Sequence, residues 1–302
     1  MVSIVCKKLS KAYEKKEVAL RPLSLSISTN GIFALIGRNG AGKTTLVRML
    51  ATQLMPTSGS ALVDGIDIIK DPKRIRDMIA VIPQEARPVP WVTPTQMVYS
   101  YLLWRGFDSK EAKIRAKDSI KKLGIQRYAN TLNQSLSGGT QKKVLLASVL
   151  ASEAKILFLD EPSTGLDPIS RKELWAALDE LKKENFIFLT THYLEEAEAL
   201  ADEIAVLEEG KLLAFGSLEK LRQKIKFPYS VRLAGNVHRA IHVKKGNIIT
   251  GSNGEKQLFT TRSEAYKLAK YLIKEGVEFS MNPVSLDDIF YSLVGKNIEE
   301  ET

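Results

Sequence analysis

The chain has 302 residues, room for about two domains at roughly 150 residues each, and its 44% hydrophobic and 26% charged residues are the balance of a protein that buries a sizeable core. A formal net charge of +9 admits anionic partners without selecting one, and the single cysteine, Cys6, excludes an internal disulfide framework and a cysteine-built zinc cluster. Three prolines and scattered polar residues disqualify 88–104 as a membrane span, and 2–6 reads as a strand rather than a leader, so an intracellular protein that is not itself membrane-embedded is expected.

In chain order, period-two alternation predicts strands over 2–5, 17–20 and 23–28. Asn30 and Gly31 make a turn before the wholly apolar run 32–36, the pattern of a strand covered on both faces. Helical spacing follows over 44–54, ending at Pro56. Asp64 and Gly65 signal a hairpin between strands 61–63 and 66–69, and 80–82 is a strand ended by Pro83. From 95 to 151 the pattern is helical, with helices over 95–104, 109–123 and 138–150. Strands return at 156–159, 186–190, 204–207 and 211–215, with helices over 168–183 and 194–200 between them. This alternation predicts an α/β core with a largely parallel sheet, preceded by an antiparallel β subdomain and interrupted by a helical insertion at about 86–150. The composition shifts near 224–228. Strands at 229–233, 240–243, 247–250, 258–261 and 277–280 and helices at 263–275 and 285–294 then predict a small α+β appendage. The expected domains are 1–225 and 226–302; the acidic end 299–301 is too short for an interaction tail.

Gly37, Arg38, Asn39, Gly40, Ala41, Gly42, Lys43 and Thr44 fit G-x-x-x-x-G-K-[ST], and they lie where a phosphate-binding loop must, between an apolar strand and a helix start. Glycines let backbone N–H groups converge on phosphate oxygens, and the helix N-terminus adds positive potential. Lys43 is expected to reach the β/γ-phosphates of a nucleotide and the Thr44 hydroxyl to ligate Mg²⁺, with Thr45 beside it in the cradle. The strand 156–159 ends in Asp160 and Glu161. Asp160 is expected to hold the metal shell and Glu161 to polarise an attacking water. Up to this point the sequence describes a P-loop NTPase of any branch.

Leu136, Ser137, Gly138 and Gly139 before a helix form a second phosphate cradle, and one chain has a single γ-phosphate to bind. With this tetrapeptide the sequence resembles the ATP-binding-cassette family over roughly 2–220. The resemblance implies roles for further residues in order: Gln84 as the glutamine that touches Mg²⁺ and faces the membrane partner, Asp167 as a nucleotide-binding residue in the D-loop 163–167, His192 as the switch histidine at the γ-phosphate, and Tyr13 under adenine. Thr140 stands where the family most often has Gln, with Gln141 following. The segments 192–198, 214–217 and 285–290 resemble the drug- and polysaccharide-exporter branch.

What the resemblance implies is an ATP-hydrolysing subunit working as a head-to-tail dimer, a homodimer or a pair of related chains. ATP would lie between one P-loop and the Ser137 cradle of the other subunit. A separately encoded membrane-spanning permease is the expected partner, with the chain peripheral on the cytoplasmic face and no nucleic acid bound. The rival readings are a soluble cassette ATPase acting on a cytosolic assembly and a nucleic-acid-linked cassette protein. The second lacks the coiled-coil insertion or paired cassettes it would carry. The stretch 105–127, with eight basic and three acidic residues, reads as a solvated helix face, or else as one turned to an acidic loop or membrane surface.

Overall fold

The structure is a computed structural model that describes residues 1–13, 18–223, 227–233, 248–250 and 256–300. It divides into two compact units, Met1–Phe215 and Gly216–Thr302. The first contains β1 (Val2–Ala12), β2 (Val18–Thr29), β3 (Ile32–Ile36), α1 (Lys43–Leu50), β4 (Ser58–Val63), β5 (Ile66–Asp67), α2 (Pro72–Met78), β6 (Ile79–Ile82), α3 (Pro94–Trp104), α4 (Ser109–Lys122), α5 (Gly138–Ala151), β7 (Ile156–Asp160), α6 (Pro168–Leu181), β8 (Phe186–Thr191), α7 (Leu194–Leu200), β9 (Glu203–Glu208) and β10 (Lys211–Gly216), whose last residue is the first of the next unit.

Strands β2-β1-β4-β5 form an antiparallel sheet. The two strands expected at 17–20 and 23–28 are one strand, β2, apart from position 17, which lies outside the described residues. Pro22 is accommodated because β2 is an edge strand and its pairing with β1 is broken by register shifts. Asp64 and Gly65 both have positive φ, 49° and 78°, as a two-residue hairpin turn between β4 and β5 requires.

The second sheet has the order β10-β9-β3-β8-β7-β6, with β9, β3, β8, β7 and β6 mutually parallel. Its inner strands β3, β7 and β8 are buried along their whole length, as strands covered on both faces are. Phe33, Phe188 and Phe158 sit side by side on one face, with ring centroids 4.8 and 5.4 Å apart, against the core shared with β1 and β2. Ile32, Ile187, Leu157 and Leu159 face the other way, into the core built with α3, α4, α5 and α6. Register matters most for function: Ile36 pairs with Thr191, Asp160 with Thr190 and Ile82 with Leu159. The C-terminal ends of β3, β8, β7 and β6 therefore finish level, and whatever follows each strand gathers at one edge, where open α/β sheets bind ligands.

The second unit holds α8 (Leu218–Gln223), β11 (Tyr229–Leu233), β12 (Ile248–Thr250), β13 (Lys256–Thr260), α9 (Arg262–Lys274), β14 (Phe279–Pro283) and α10 (Leu286–Glu300). Its sheet runs β12-β13-β11-β14, with each pair antiparallel, and Val231, Leu233 and Leu258 pack on Ala265 and Leu272 of α9. The strand expected at 240–243, the shift at 224–226 and the end of the acidic stretch lie outside the described residues. Helices α2 and α8 have no counterpart among the expected elements: each buries a single residue, Ile75 and Leu221, and so shows no apolar period.

Candidate functional site

The loop after β3 is shaped by its glycines. Gly42 has φ 101°, and a Cβ there would come within 2.4 Å of the Ala19 carbonyl oxygen. A Cβ on Gly40, φ 84°, would instead meet nothing within 4 Å, so the loop is open on that side. That open cradle at the start of α1, with no acidic residue in the helix's first turn, fits an anion. Lys43 is only 4% exposed and folds back under the loop, its Nζ donating to the Gly37 and Arg38 carbonyls at 2.9 and 3.1 Å. The Arg38 side chain is exposed, and Ala41 is buried. Tyr13 is partly exposed, with its hydroxyl 3.4 Å from that of Thr45.

Glu161 is the hub. It follows β7 with φ 48°, a conformation costly for a residue with a side chain, and its backbone N–H donates to the carbonyl and hydroxyl oxygens of Thr190. Its carboxylate, 5% exposed, pairs through Oε1 with Lys43 Nζ at 3.2 Å. Oε2 meets His192 Nδ1 at 2.9 Å, the Thr164 hydroxyl at 3.1 Å and Gln84 Nε2 at 3.3 Å. Burial, the largest influence, raises its pKa, but the Lys43 charge and hydrogen bond, then His192 and Thr164, outweigh it and hold the group below its ordinary value. Asp160, also buried, accepts a short hydrogen bond from the Thr190 hydroxyl.

Lys43, Gln84, Asp160, Glu161 and His192 thus converge from four strand ends. The threonines were missed by the sequence reading. Thr190 stands two positions before His192, and the pairing of β7 with β8 brings it to Asp160; Thr164, three after Glu161, reaches that carboxylate through the turn that follows β7.

The second cradle is built differently. Ser137 caps α5, its hydroxyl accepting from the Thr140 N–H at 3.3 Å and lying 2.9 Å from the Thr140 hydroxyl. Gln141 stitches the preceding loop by donating to the Asn133 and Leu136 carbonyls, each at 3.1 Å, so the Thr–Gln pair at 140–141 is a local structural fixture. Gly139 is packed against α6: a Cβ there would lie 2.8 Å from Ser170. Gly138 is exposed and has room. Asp167 caps α6, accepting from the Ile169 and Ser170 N–H groups at 3.0 Å each, and hydrogen bonding from Ser170 lowers its pKa. Among the described residues, no hydrogen bond joins Ser137, Gly138, Gly139 or Asp167 to the Glu161 cluster. A cavity of about 510 Å³, lined by Gln84, Arg87, Gly138, Lys142 and Thr164 among others, opens between the segment after β6 and the start of α5.

The donor set fits a magnesium–nucleotide: an open glycine cradle, a buried lysine and two buried carboxylates, with the Thr44 hydroxyl half-buried at the head of α1.

Comparison with known proteins agrees with this chemistry. Residues 20–164 match the ABC transporter domain family. The chain is 34% identical over 238 residues to a rat protein named phospholipid-transporting ATPase ABCA3, a match covering 78% of this chain and 14% of that protein. It is 30% identical over 275 residues to ABC transporter A family member 7 of Arabidopsis thaliana, covering 89% of this chain and 29% of that one. The chain therefore spans a minor part of these curated relatives. Among solved structures, cbiO1 from Clostridium perfringens, described as part of the ABC transporter complex cbiONQ, superposes with a TM-score of 0.65 at 28% identity, over 73% of this chain and 93% of that one.

Proposed function

We propose that this chain, which belongs to the ATP-binding-cassette transporter family, is an ATP-hydrolysing, nucleotide-binding subunit that powers a membrane permease carried on another chain. The observation that carries the reading is the convergence of Lys43, Gln84, Thr164 and His192 on one buried carboxylate, Glu161, at the mouth of the P-loop.

Lys43, released from Glu161 when phosphate arrives, serves the β/γ-phosphates together with the loop N–H groups. Thr44, Gln84 and Asp160 are the residues to hold Mg²⁺, which when bound neutralises charge developing on the phosphoryl oxygens. Asp160 is kept in place by Thr190. Glu161, ionised and freed from Lys43, accepts the proton of the attacking water, while His192 orients that water and the γ-phosphate. Most of the acceleration is electrostatic, from donors already aimed at the developing charge. The Ser137–Gly139 cradle and Asp167, which make no hydrogen bond to the Glu161 cluster among the described residues, serve the nucleotide of a second subunit in a head-to-tail dimer. Tyr13 lies under adenine.

Glu161→Gln should keep ATP affinity, lower turnover by at least ~10²-fold and accumulate as an ATP-bound dimer on gel filtration. Near-normal turnover would remove Glu161 from the catalytic role.

The permease reading rests on α3 and its approach. Val98 and Leu102 are buried and Met97 and Tyr99 pack against the core, whereas Trp91 and Trp104 are 74% and 80% exposed. The exposed indole of Trp91, seven positions after Gln84 in the chain, suits a short cytoplasmic helix of a membrane subunit. The relatives named above are transporters, and the likeness to an exporter branch leans the direction towards export. No described helix is long and apolar enough to cross a membrane. Trp91→Glu should leave ATP binding intact and abolish recovery with membranes. Equal recovery of both proteins, or a wild-type chain found only with a cytosolic partner, would favour the soluble-ATPase reading.

A further inference from the structure

Helix α7 carries three glutamates, and one of them faces inward. Glu196 is 0% exposed, on the same side of the helix as the buried Ala197 and Leu200. A carboxyl in such a place must be hydrogen-bonded, neutral or both. Its Oε1 accepts from Trp175 Nε1 of α6 at 3.0 Å. Burial raises its pKa, opposed by the hydroxyls of Thr191 and Ser163, the Trp175 N–H and the Arg171 guanidinium.

The same helix α6 makes a second grip on the adjoining turn. The Arg171 guanidinium lies over the Tyr193 ring, 4.0 Å from its centroid, and that ring is 4.1 Å, centroid to centroid, from the His192 imidazole. The Tyr193 N–H closes the turn on the Thr191 hydroxyl at 2.9 Å. The imidazole is thus held between the Tyr193 ring and Glu161 Oε2. Two grips on this turn come from α6, through Trp175 to Glu196 and through Arg171 to Tyr193.

We infer that Glu196 is a positioning residue for His192: with Arg171 and Tyr193 it clamps the β8–α7 turn to α6, so that the imidazole stays aimed at Glu161. The inference rests on the proposed roles of Glu161 and His192 and adds what keeps them in register.

The test uses the full chain, and one of its readouts needs no turnover. With three histidines in the sequence, the His192 Cε1–H resonance is assignable by its loss in His192→Gln. Glu196→Ala and Arg171→Gln should each move that resonance, because the Tyr193 ring current falls on it differently. Glu196→Gln, which keeps shape and an acceptor for Trp175, should restore it. In steady state, Glu196→Ala should lower kcat by ~10–100-fold with KM changed by no more than about twofold. In a His192→Ala background the same substitution should cost little, since residues acting through one group are not additive. An unmoved His192 signal, or an equal loss with and without His192, overturns the inference and leaves Glu196 as a packing residue. Should Glu196→Ala fail to fold, Arg171→Gln carries both readouts. A wild-type chain without ATPase activity would overturn the functional proposal instead, leaving the resonance test standing.

Discussion

Two glycine-containing loops open helices in the first unit, and they are finished to different degrees. Around the P-loop the buried charged groups are paired, mostly across strand ends: Lys43 meets Glu161, Glu161 meets His192, Gln84 and the nearby Thr164, and Asp160 meets Thr190. Around Ser137 the polar groups satisfy only their own neighbourhood, by capping α5 and tying down the loop before it. A buried charged cluster must be completed within the chain because an unpaired member is costly there, whereas an exposed cap can wait for a partner. The difference makes the second loop the place to look for the contact with a second subunit that the proposed function requires.

Substitutions should expose this asymmetry in order of size. Lys43→Ala leaves Glu161 buried without its cation and should destabilise the first unit by about 3–5 kcal/mol in urea denaturation. Adding Glu161→Gln should return part of that loss; a double variant no more stable than Lys43→Ala would mean that the pair is not what completes the cluster. In the second loop the two glycines should part company. Gly139→Ala drives a Cβ into Ser170 and should cost about 1–3 kcal/mol, while Gly138→Ala, whose nearest neighbour would be Leu166 at 3.6 Å, should stay within about 0.5 kcal/mol of wild type. Equal effects from the two would erase the distinction drawn between packed and open faces of this loop.

The smallest effect is a pH dependence. Glu161 has a folded pKa below its ordinary value of 4.5, so the unfolded chain takes up its proton first as the solution is acidified. Its contribution is complete above the unfolded value and is lost as pH falls through the folded one. Acidification from about pH 7 to about pH 4 should therefore lower the urea midpoint of wild type more than that of Glu161→Gln. Parallel slopes would show that the carboxylate is not stabilised in the folded chain.

The sequence made the strand ends legible because buried parallel strands are continuous apolar runs, and the residues that follow 32–36, 156–159 and 186–190 are the ones gathered at the sheet edge. It did not show that Lys43 is tied to Glu161, since residues 118 positions apart give no local signal of contact. Tyr13 was placed by position alone, and the structure gives it the Thr45 hydroxyl as a neighbour. Pro22 split β2 on paper because edge strands follow looser rules than central ones. Glu196 had no role of its own in the sequence, where 192–198 showed only a likeness to a family branch, although its spacing from Leu200 puts it on the inner side of α7.

The central claim is that the P-loop of one subunit works with the Ser137 cradle of another. The most direct measurement mixes two inactive variants, Lys43→Ala and Ser137→Arg, and follows ATP hydrolysis across mixing ratios. In a mixed head-to-tail dimer one composite site carries both lesions and the other carries neither. Partial recovery, greatest near equal proportions, is the result expected. No recovery at any ratio, with mixed dimers confirmed by size and mass, would contradict the shared site and show that each chain works alone.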